Sequence, residues 1–291
     1  MTQAKSIRHL NLNLAGQVWR FDWVRVEDAY TGEATGARRM SAAIEFREVC
    51  FTAANGRLLL DSVSIAIEEG TTTAVLGRSG SGKTTLLRTA NQMVQPTGGE
   101  VLVHGTRACD ADVIKLRRGM GYVIQETGLF PHFNVERNAG LVLEAEAVPA
   151  GERGQRAREL LKLVGLEPVQ FAKRFPHQLS GGQRQRVGLA RALAADPRIL
   201  LMDEPFGALD PLTRAEMQDM LRQLMGKLKK TVLLVTHDLN EALYLADRIV
   251  LLEQGRLIVN LAPDEFLKSR EPAVESYVRA FERRGTAAAH G

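Results

Sequence analysis

A glycine-rich loop in the first third of the chain has the residue types that proteins use to bind phosphate. Its glycines let backbone N–H groups curve around phosphate oxygens, because a Cβ atom would block the approach or the positive φ angles. Lys83 can reach the β- and γ-phosphates, and the Thr84 hydroxyl can bind Mg²⁺. The loop predicts a nucleoside triphosphate site, although alone it would also fit a kinase, a GTPase or a helicase. In the pattern G-x-x-x-x-G-K-[ST], the predicted phosphate-binding residues are Gly77, Arg78, Ser79, Gly80, Ser81, Gly82, Lys83, Thr84 and Thr85.

Two carboxylates, Asp203 and Glu204, stand in tandem at the end of an apolar run. A strand buried on both faces would carry them to the carboxyl edge of a sheet, where α/β proteins bind ligands. Asp203 is then placed to hold Mg²⁺ through water, and Glu204 to accept a proton from an attacking water. The pair could otherwise be a solvated strand end or a helix N-cap. With the phosphate loop upstream, two acids favour hydrolysis over a simple binding switch.

A second candidate anion site precedes another helical pattern. Ser180 can cap that helix, and the two glycines after it leave backbone amides open. One nucleotide rarely needs two such sites from one chain, so we expect head-to-tail dimerisation in which each chain lends this site to its partner's γ-phosphate. The alternative is an ordinary capped helix with two glycines. The residues of this second site are Leu179, Ser180, Gly181, Gly182 and Gln183.

Alternating strand and helix patterns must position these residues. Short apolar runs predict strands at 44–49, 63–67, 72–76, 121–124, 199–202, 231–235 and 248–252. Helical spacing predicts helices at 83–93 and 212–229, and the stretch from about 126 to 186 is helix-rich without a clear strand. The pattern predicts an α/β fold with a mainly parallel sheet and an inserted helical subdomain at about 126–186.

Composition narrows the function classes. The 291 residues are 45% hydrophobic and 25% charged, an ordinary balance for a globular protein. A net charge of +4 gives no reason to expect nucleic acid as a partner. Two cysteines cannot build a disulfide framework, and no run approaches the ~18 apolar residues of a membrane span. The composition therefore argues against an integral membrane protein and a secreted disulfide scaffold.

From about residue 44 to residue 281 the chain resembles the ATP-binding subunits of ABC transporters. Beyond the phosphate loop and the tandem carboxylates, the resemblance includes Gln125, the run Ala208-Leu209-Asp210, and Thr236-His237-Asp238. It implies a P-loop NTPase fold of ABC type, in which an antiparallel N-terminal β region accompanies the mainly parallel sheet. It also implies ATP and Mg²⁺ as cofactors, with Glu204, His237 and Gln125 as catalytic residues. The metal ligands would be Thr84, Gln125 and Asp203. Leu179–Gln183 and Asp210 would act in trans across a dimer.

The runs 121–132, 163–168 and 201–211 are most similar to osmoprotectant importers, which handle glycine betaine, carnitine or choline. The resemblance implies transmembrane permease subunits and a second copy of the chain as partners, and indirectly a periplasmic or lipid-anchored substrate-binding protein. It implies a peripheral location on the cytoplasmic face of the inner (cell) membrane. An importer ATPase for an amino acid or oxyanion is the alternative, and a soluble ABC ATPase without a transport role is a weaker one. Regulatory CBS repeats are not expected.

One departure from the family concerns the adenine. The family usually stacks an aromatic ring on the base, but alignment of residues 49–56 puts Ala53 at that position. Phe51 is expected to be a neighbouring core residue. We therefore predict weak contacts to the base and loose discrimination between ATP and GTP.

Residues 1–39 lack a sustained period and end in a polar, glycine-containing stretch. They contain both tryptophans, Trp19 and Trp23, which would suit a docking segment. The preferred interpretation is that this extension is disordered, or a gene-start artefact with translation beginning at Met40. The domain prediction is thus an extension at 1–39 and an ABC ATPase domain at 40–291.

Overall fold

The computed structural model describes residues 6–14, 17–25, 42–125 and 127–288. The chain divides into two compact units, Met1–Arg39 and Met40–Gly291. In the first unit, strands β1 (Ser6–Leu14) and β2 (Gln17–Arg25) pair antiparallel, with Ser6 opposite Arg25. The domain assignment made from the sequence stays a prediction, and Glu126, where the predicted helical subdomain begins, lies outside the described residues.

Two sheets form the framework of the second unit. The antiparallel sheet has the order β4-β3-β6-β7, and the larger sheet has the order β12-β11-β5-β10-β9-β8, in which only β12 runs antiparallel. The strands are β3 (Ala42–Thr52), β4 (Leu58–Glu68), β5 (Thr72–Leu76), β6 (Gly98–Val103), β7 (Thr106–Arg107), β8 (Met120–Val123), β9 (Ile199–Asp203), β10 (Thr231–Thr236), β11 (Arg248–Glu253) and β12 (Arg256–Leu261). The predicted fold class is confirmed.

Eleven helices in the described residues surround these sheets. They are α1 (Lys83–Ala90), α2 (Val113–Arg118), α3 (Val135–Ala139), α4 (Leu141–Ala145), α5 (Ala150–Leu163), α6 (Pro168–Phe171), α7 (Gly181–Leu193), α8 (Pro211–Leu228), α9 (Leu239–Leu245), α10 (Pro263–Lys268) and α11 (Pro272–Ala288). From 127 to 186 the chain is helical without a strand, as predicted. The first helix ends at Ala90 instead of residue 93, because Asn91 leaves the helical conformation and Gln92 takes a positive φ of 58°.

The two faces of the larger sheet bury different cores because side chains alternate along a strand. On β9, Leu200 and Met202 join the core that contains the helices between α3 and α8. Ile199 and Leu201 join the core shared with the antiparallel sheet and α1. All five residues of this strand are buried, so its apolar sequence has no solvent-facing side. Packing in both cores therefore fixes the register of β9, and this register places Asp203 at the carboxyl edge of the larger sheet.

Candidate nucleotide site

The glycine-rich loop between β5 and α1 forms a cradle that only glycine can build at two positions. A Cβ atom at Gly77 would lie 2.3 Å from the Leu252 carbonyl oxygen, and one at Gly82 would lie 2.4 Å from the Leu59 carbonyl oxygen. Gly82 also has a φ of 102°, which side chains with a Cβ rarely adopt. The loop therefore keeps its backbone close to β4 and β11 and opens at the amino end of α1, where helices bind anions.

Lys83 lies inside this loop. Its side chain is only 5% exposed, and Nζ donates hydrogen bonds to the carbonyl oxygens of Gly77 (2.8 Å) and Arg78 (2.9 Å). Burial lowers the pKa of the ammonium, while the negative charges of Glu204 and Asp203 act in the opposite direction. The lysine thus places a positive charge among backbone groups that curve around it, as a polyphosphate ligand requires.

Asp203 and Thr84 form the part of the site that fits a divalent cation. Thr84 Oγ1 donates to Asp203 Oδ1 at 2.8 Å, which brings a hydroxyl and a carboxylate from two elements together. Both are hard oxygen ligands of the kind Mg²⁺ prefers, and Mg²⁺ usually takes few protein ligands and completes its shell with substrate phosphates and water. The pair suits a metal that arrives with a nucleotide, because the phosphates can supply further ligands. Among the described residues, no group of three or more His, Cys, Asp or Glu side chains is placed to hold a metal ion.

Two residues beside Asp203 were not singled out in the sequence. Tyr122 on β8 has its hydroxyl 3.4 Å from Asp203 Oδ2, and Arg88 on α1 has Nη2 3.8 Å from the same oxygen. Arg88 Nε also donates to the Tyr122 hydroxyl at 3.4 Å. The only sequence signal for Tyr122 is its place on a predicted strand three residues before Gln125. These contacts surround the carboxylate on the side away from Thr84.

The backbone turn at Glu204 directs the two tandem carboxylates, Asp203 and Glu204, toward the same candidate site. In an extended strand, neighbouring side chains point to opposite faces, but Glu204 has a φ of 46°. Its amide donates to the Val235 carbonyl oxygen at 2.9 Å, which ties the turn to β10. Glu204 Oε2 then lies 3.0 Å from His237 Nδ1, at the end of β10. A carboxylate and an imidazole meet here although 33 positions separate them in the sequence.

Gln125 lies next to the turn that follows Glu204. A Cβ atom at Gly207 would lie 3.0 Å from Gln125 Nε2, so the glutamine amide packs directly on this turn. The chain beyond Gln125 is held by the helix that follows the second anion site. Arg191 on α7 donates to the carbonyl oxygens of Thr127 (2.7 Å) and Gly128 (2.8 Å). Hydrogen bonds therefore attach the segment that follows Gln125 to α7.

The second anion site has the predicted helix cap. Ser180 Oγ accepts from the Gln183 amide at 3.2 Å, while the Ser180 amide donates to Gln183 Oε1 at 3.0 Å. Gly182 lies against the Thr213 side chain, at the start of α8. Asp210 caps α8, and the Thr213 amide lowers the pKa of its carboxyl. Among the described residues, no hydrogen bond or ion pair joins 179–183 to 77–85.

Two residues near the end of β3, Phe51 and Ala53, bear on the predicted contact with adenine. Phe51 is half-buried and packs against the core shared by the two sheets, in agreement with its prediction as a core residue. Ala53 begins the turn after β3, where its amide donates to the Arg57 carbonyl oxygen at 2.9 Å.

A buried acid behind His237 was missed in the sequence. Glu241 on α9 is 4% exposed and accepts a hydrogen bond from Thr236 Oγ1 at 2.6 Å. Burial raises the pKa of its carboxyl. Nothing in the local pattern separates this glutamate from an ordinary helix-surface residue, since its burial depends on elements elsewhere in the chain.

Comparison with known proteins identifies the family to which the chain belongs. The family described as ABC transporter matches residues 60–207, from β4 to the turn after the two carboxylates. The chain belongs to this family. Choline transport ATP-binding protein OpuBA of Bacillus subtilis is 44% identical over 232 residues, which are 80% of this chain and 60% of that protein. Osmoprotectant import ATP-binding protein OsmV of Salmonella typhimurium is 46% identical, over 75% of this chain and 58% of that protein.

Solved ABC cassettes share the fold over nearly their whole length. The dimeric bacterial ABC transporter cassette MJ0796 has a TM-score of 0.69 and 37% identity, covering 76% of this chain and 98% of that one. A dimeric MJ0796 structure in a post-hydrolysis state, bound to ADP and Pi, has a TM-score of 0.68 and 36% identity, with the same coverage. The chain spans about three fifths of the length of the curated relatives above. No helix in the described part of this ABC protein has the length and apolar character needed to cross a membrane.

Proposed function

We propose that the chain is the ATP-hydrolysing subunit of an ABC importer. The observation that carries the proposal is the 3.0 Å contact between Glu204 Oε2 and His237 Nδ1, formed beside the phosphate loop. A nucleotide-binding switch needs the loop and one metal-binding acid, which Lys83 and Asp203 supply. The additional carboxylate, directed by a left-handed backbone turn and paired with an imidazole, supports hydrolysis.

In this mechanism Glu204 accepts a proton from the water that attacks the γ-phosphate. His237 holds the Glu204 carboxylate from one side and is itself more than half exposed, so it can also reach the phosphate. Lys83 stabilises negative charge on the phosphates from within the loop. Thr84, Asp203 and Gln125 would hold Mg²⁺, which when bound neutralises phosphate charge and helps keep the γ-phosphate in line.

The working unit is a head-to-tail dimer around two ATP molecules. Residues 179–183 and Asp210 lie near the start of α8, and the resemblance gives them a role on the nucleotide of the partner subunit. Closure would bring the amino end of α7 to that γ-phosphate, and hydrolysis would remove this attraction and reopen the dimer. The dimeric cassettes of similar fold support this arrangement.

The partners would be transmembrane permease subunits, and indirectly a periplasmic or lipid-anchored substrate-binding protein. The cargo would be a quaternary-amine osmoprotectant, and the chain would lie peripherally on the cytoplasmic face of the cell membrane. Support comes from relatives named for transport of choline and for glycine betaine/carnitine/choline, at 44% and 46% identity. Loss of labelled choline and glycine betaine uptake on deletion of the gene would support this substrate. Loss of amino acid or oxyanion uptake instead would contradict it.

Substitution of Glu204 tests the hydrolytic function. Glu204→Gln should bind ATP, release phosphate at least ~100-fold more slowly because the base is lost, and form an ATP-dependent dimer on gel filtration. Glu69→Gln is a matched control, since Glu69 Oε1 contacts His104 Nδ1 at 3.1 Å in another glutamate–histidine pair. Phosphate release at a near-native rate by Glu204→Gln would remove Glu204 as the base. Lack of ATP turnover by the native chain would overturn the hydrolytic function.

A further inference from the structure

The final helix reaches the backbone of the switch histidine. Tyr277 on α11 donates its hydroxyl to the His237 carbonyl oxygen at 3.0 Å. This contact joins positions 40 apart in the sequence, and it involves the backbone of His237 and not its ring. It brings the C-terminal part of the described chain into contact with the residue that touches Glu204.

The position of Tyr277 is restrained because buried side chains anchor its helix. Val274, one helical turn earlier, is fully buried in a core with Leu76 and Leu251, and Tyr277 and Val278 pack against that core. Leu76 is the residue immediately before the phosphate loop. The helix that carries the tyrosine therefore rests on the same strand that positions the loop.

A cleft of about 410 Å³ also places α11 beside the phosphate loop. Its walls include the loop backbone from residue 77 to 81 and the turn at 251–255, and the helix contributes Ala273, Ser276 and Tyr277. The tyrosine thus lies between the two nucleotide-sensing elements, the phosphate loop on one side and the end of β10 on the other. Its hydroxyl donates to the backbone of His237, so its position can influence a bound nucleotide through that residue.

We infer that Tyr277 is a positioning residue for the switch histidine, an inference that rests on the proposed function. His237 is an exposed residue in the short connection between β10 and α9. Glu204 holds its ring through Nδ1, and Tyr277 holds its carbonyl group. One contact to the ring and one to the backbone together restrict the direction of the imidazole. Removal of the hydroxyl should weaken the response to the γ-phosphate without weakening binding to the phosphate loop.

Tyr277→Phe tests this role because it removes one oxygen and keeps the ring in its core. Affinities for ADP and for the non-hydrolysable analogue AMP-PNP would be measured with Mg²⁺ present. The preference for AMP-PNP over ADP should fall about three- to tenfold, the loss expected for one hydrogen bond. The kcat for ATP should fall by a similar factor, and the affinity for ADP, which lacks the γ-phosphate, should change less than about twofold. Tyr244→Phe is the matched control, since that hydroxyl bonds to Asp219 on another face.

A double-substitution cycle separates positioning from general damage. In a His237→Ala background, Tyr277→Phe should cause no further loss of the AMP-PNP preference, because the residue it acts through has lost its imidazole. Equal preferences in Tyr277→Phe and Tyr244→Phe would overturn the inference, and so would a full additional loss in the His237→Ala background. If the native chain turns over ATP and either of these two contradicting results is found, only the role of Tyr277 fails. If the native chain does not hydrolyse ATP, the proposed function fails and takes this inference with it.

Discussion

Asn138 organises the segment that follows Gln125, and its replacement provides a quantitative test of the site's framework. The side chain is fully buried and makes four hydrogen bonds. Its Oδ1 accepts from the Phe130 amide at 2.8 Å, and Nδ2 donates to the carbonyl oxygens of Phe130 (3.1 Å), Phe133 (2.9 Å) and Asn134 (3.1 Å). The Asn138 amide group thus supplies hydrogen-bond partners to backbone groups of a loop that lies outside the helices and strands.

Asn138→Ala removes all four contacts, and their backbone partners then have only water as a hydrogen-bond partner. Nδ2 carries two hydrogens, which its three acceptors share, so the side chain makes the equivalent of three full bonds. At a net ~1 kcal/mol for each, the free energy of unfolding should fall by about 3 kcal/mol. For a domain of this size the loss corresponds to a drop in Tm of about 6–12 °C. Hydrogen exchange should rise most at residues 127–134, since their anchor is lost.

Urea unfolding and differential scanning calorimetry measure this change, and hydrogen exchange locates it. Asn55→Ala is the control, because Asn55 Oδ1 accepts a single bond from the Arg57 amide at 3.1 Å in an exposed turn. That substitution should cost less than about 0.5 kcal/mol. The reasoning is refuted if the two variants lose equal stability, or if exchange at 127–134 is unchanged in Asn138→Ala.

Three further predictions concern the nucleotide site. Gly82→Ala should abolish ATP binding in equilibrium titrations and lower the Tm, because its Cβ would lie 2.4 Å from the Leu59 carbonyl oxygen at a φ of 102°; native-like affinity would contradict this. Glu241→Gln keeps a hydrogen-bond acceptor for Thr236 and removes a carboxyl whose pKa burial raises above 4.5. The folded chain then binds more protons than the unfolded chain between 4.5 and the raised pKa, so native stability falls as pH rises through that window. The Tm advantage of the variant should therefore grow as pH rises, and a constant difference would contradict the assignment. Because the sequence is expected to place Ala53 where the family usually has an aromatic residue, ATP and GTP should bind with affinities within about tenfold of each other; a larger preference for ATP in competition assays would disprove this.

Strands buried on both faces were the most predictable elements. The run Thr72–Leu76 is short, β-branched and bounded by a turn and a glycine loop, and β5 has these bounds. Strands β6 and β12 were not predicted. The first begins with two glycines, and the second is a half-buried edge strand without a clean alternation of polar and apolar residues. Local pattern is a weak guide where tertiary contacts decide burial.

The site shows the same division. The phosphate loop and Glu204 were predicted because their chemistry needs particular residue types at particular spacings. Asn138 and Glu241 were not, since their importance comes from burial by distant segments. Tyr122 likewise gains its contact with Asp203 only when β8 and β9 pair. Sequence spacing identified residues with a chemical task, and the structure was needed to identify those that hold them in place.

The positive φ of Glu204 implies a conflict between stability and activity at one residue. A non-glycine residue in the left-handed region costs roughly 1–2 kcal/mol, so the backbone would be more stable with glycine at this position. Glu204→Gln keeps the strained backbone and removes only the acid, whereas Glu204→Gly removes both. The second variant should therefore unfold at a higher temperature than the first, although both are inactive. The proposed catalytic position is thus one at which folding alone would favour a different amino acid.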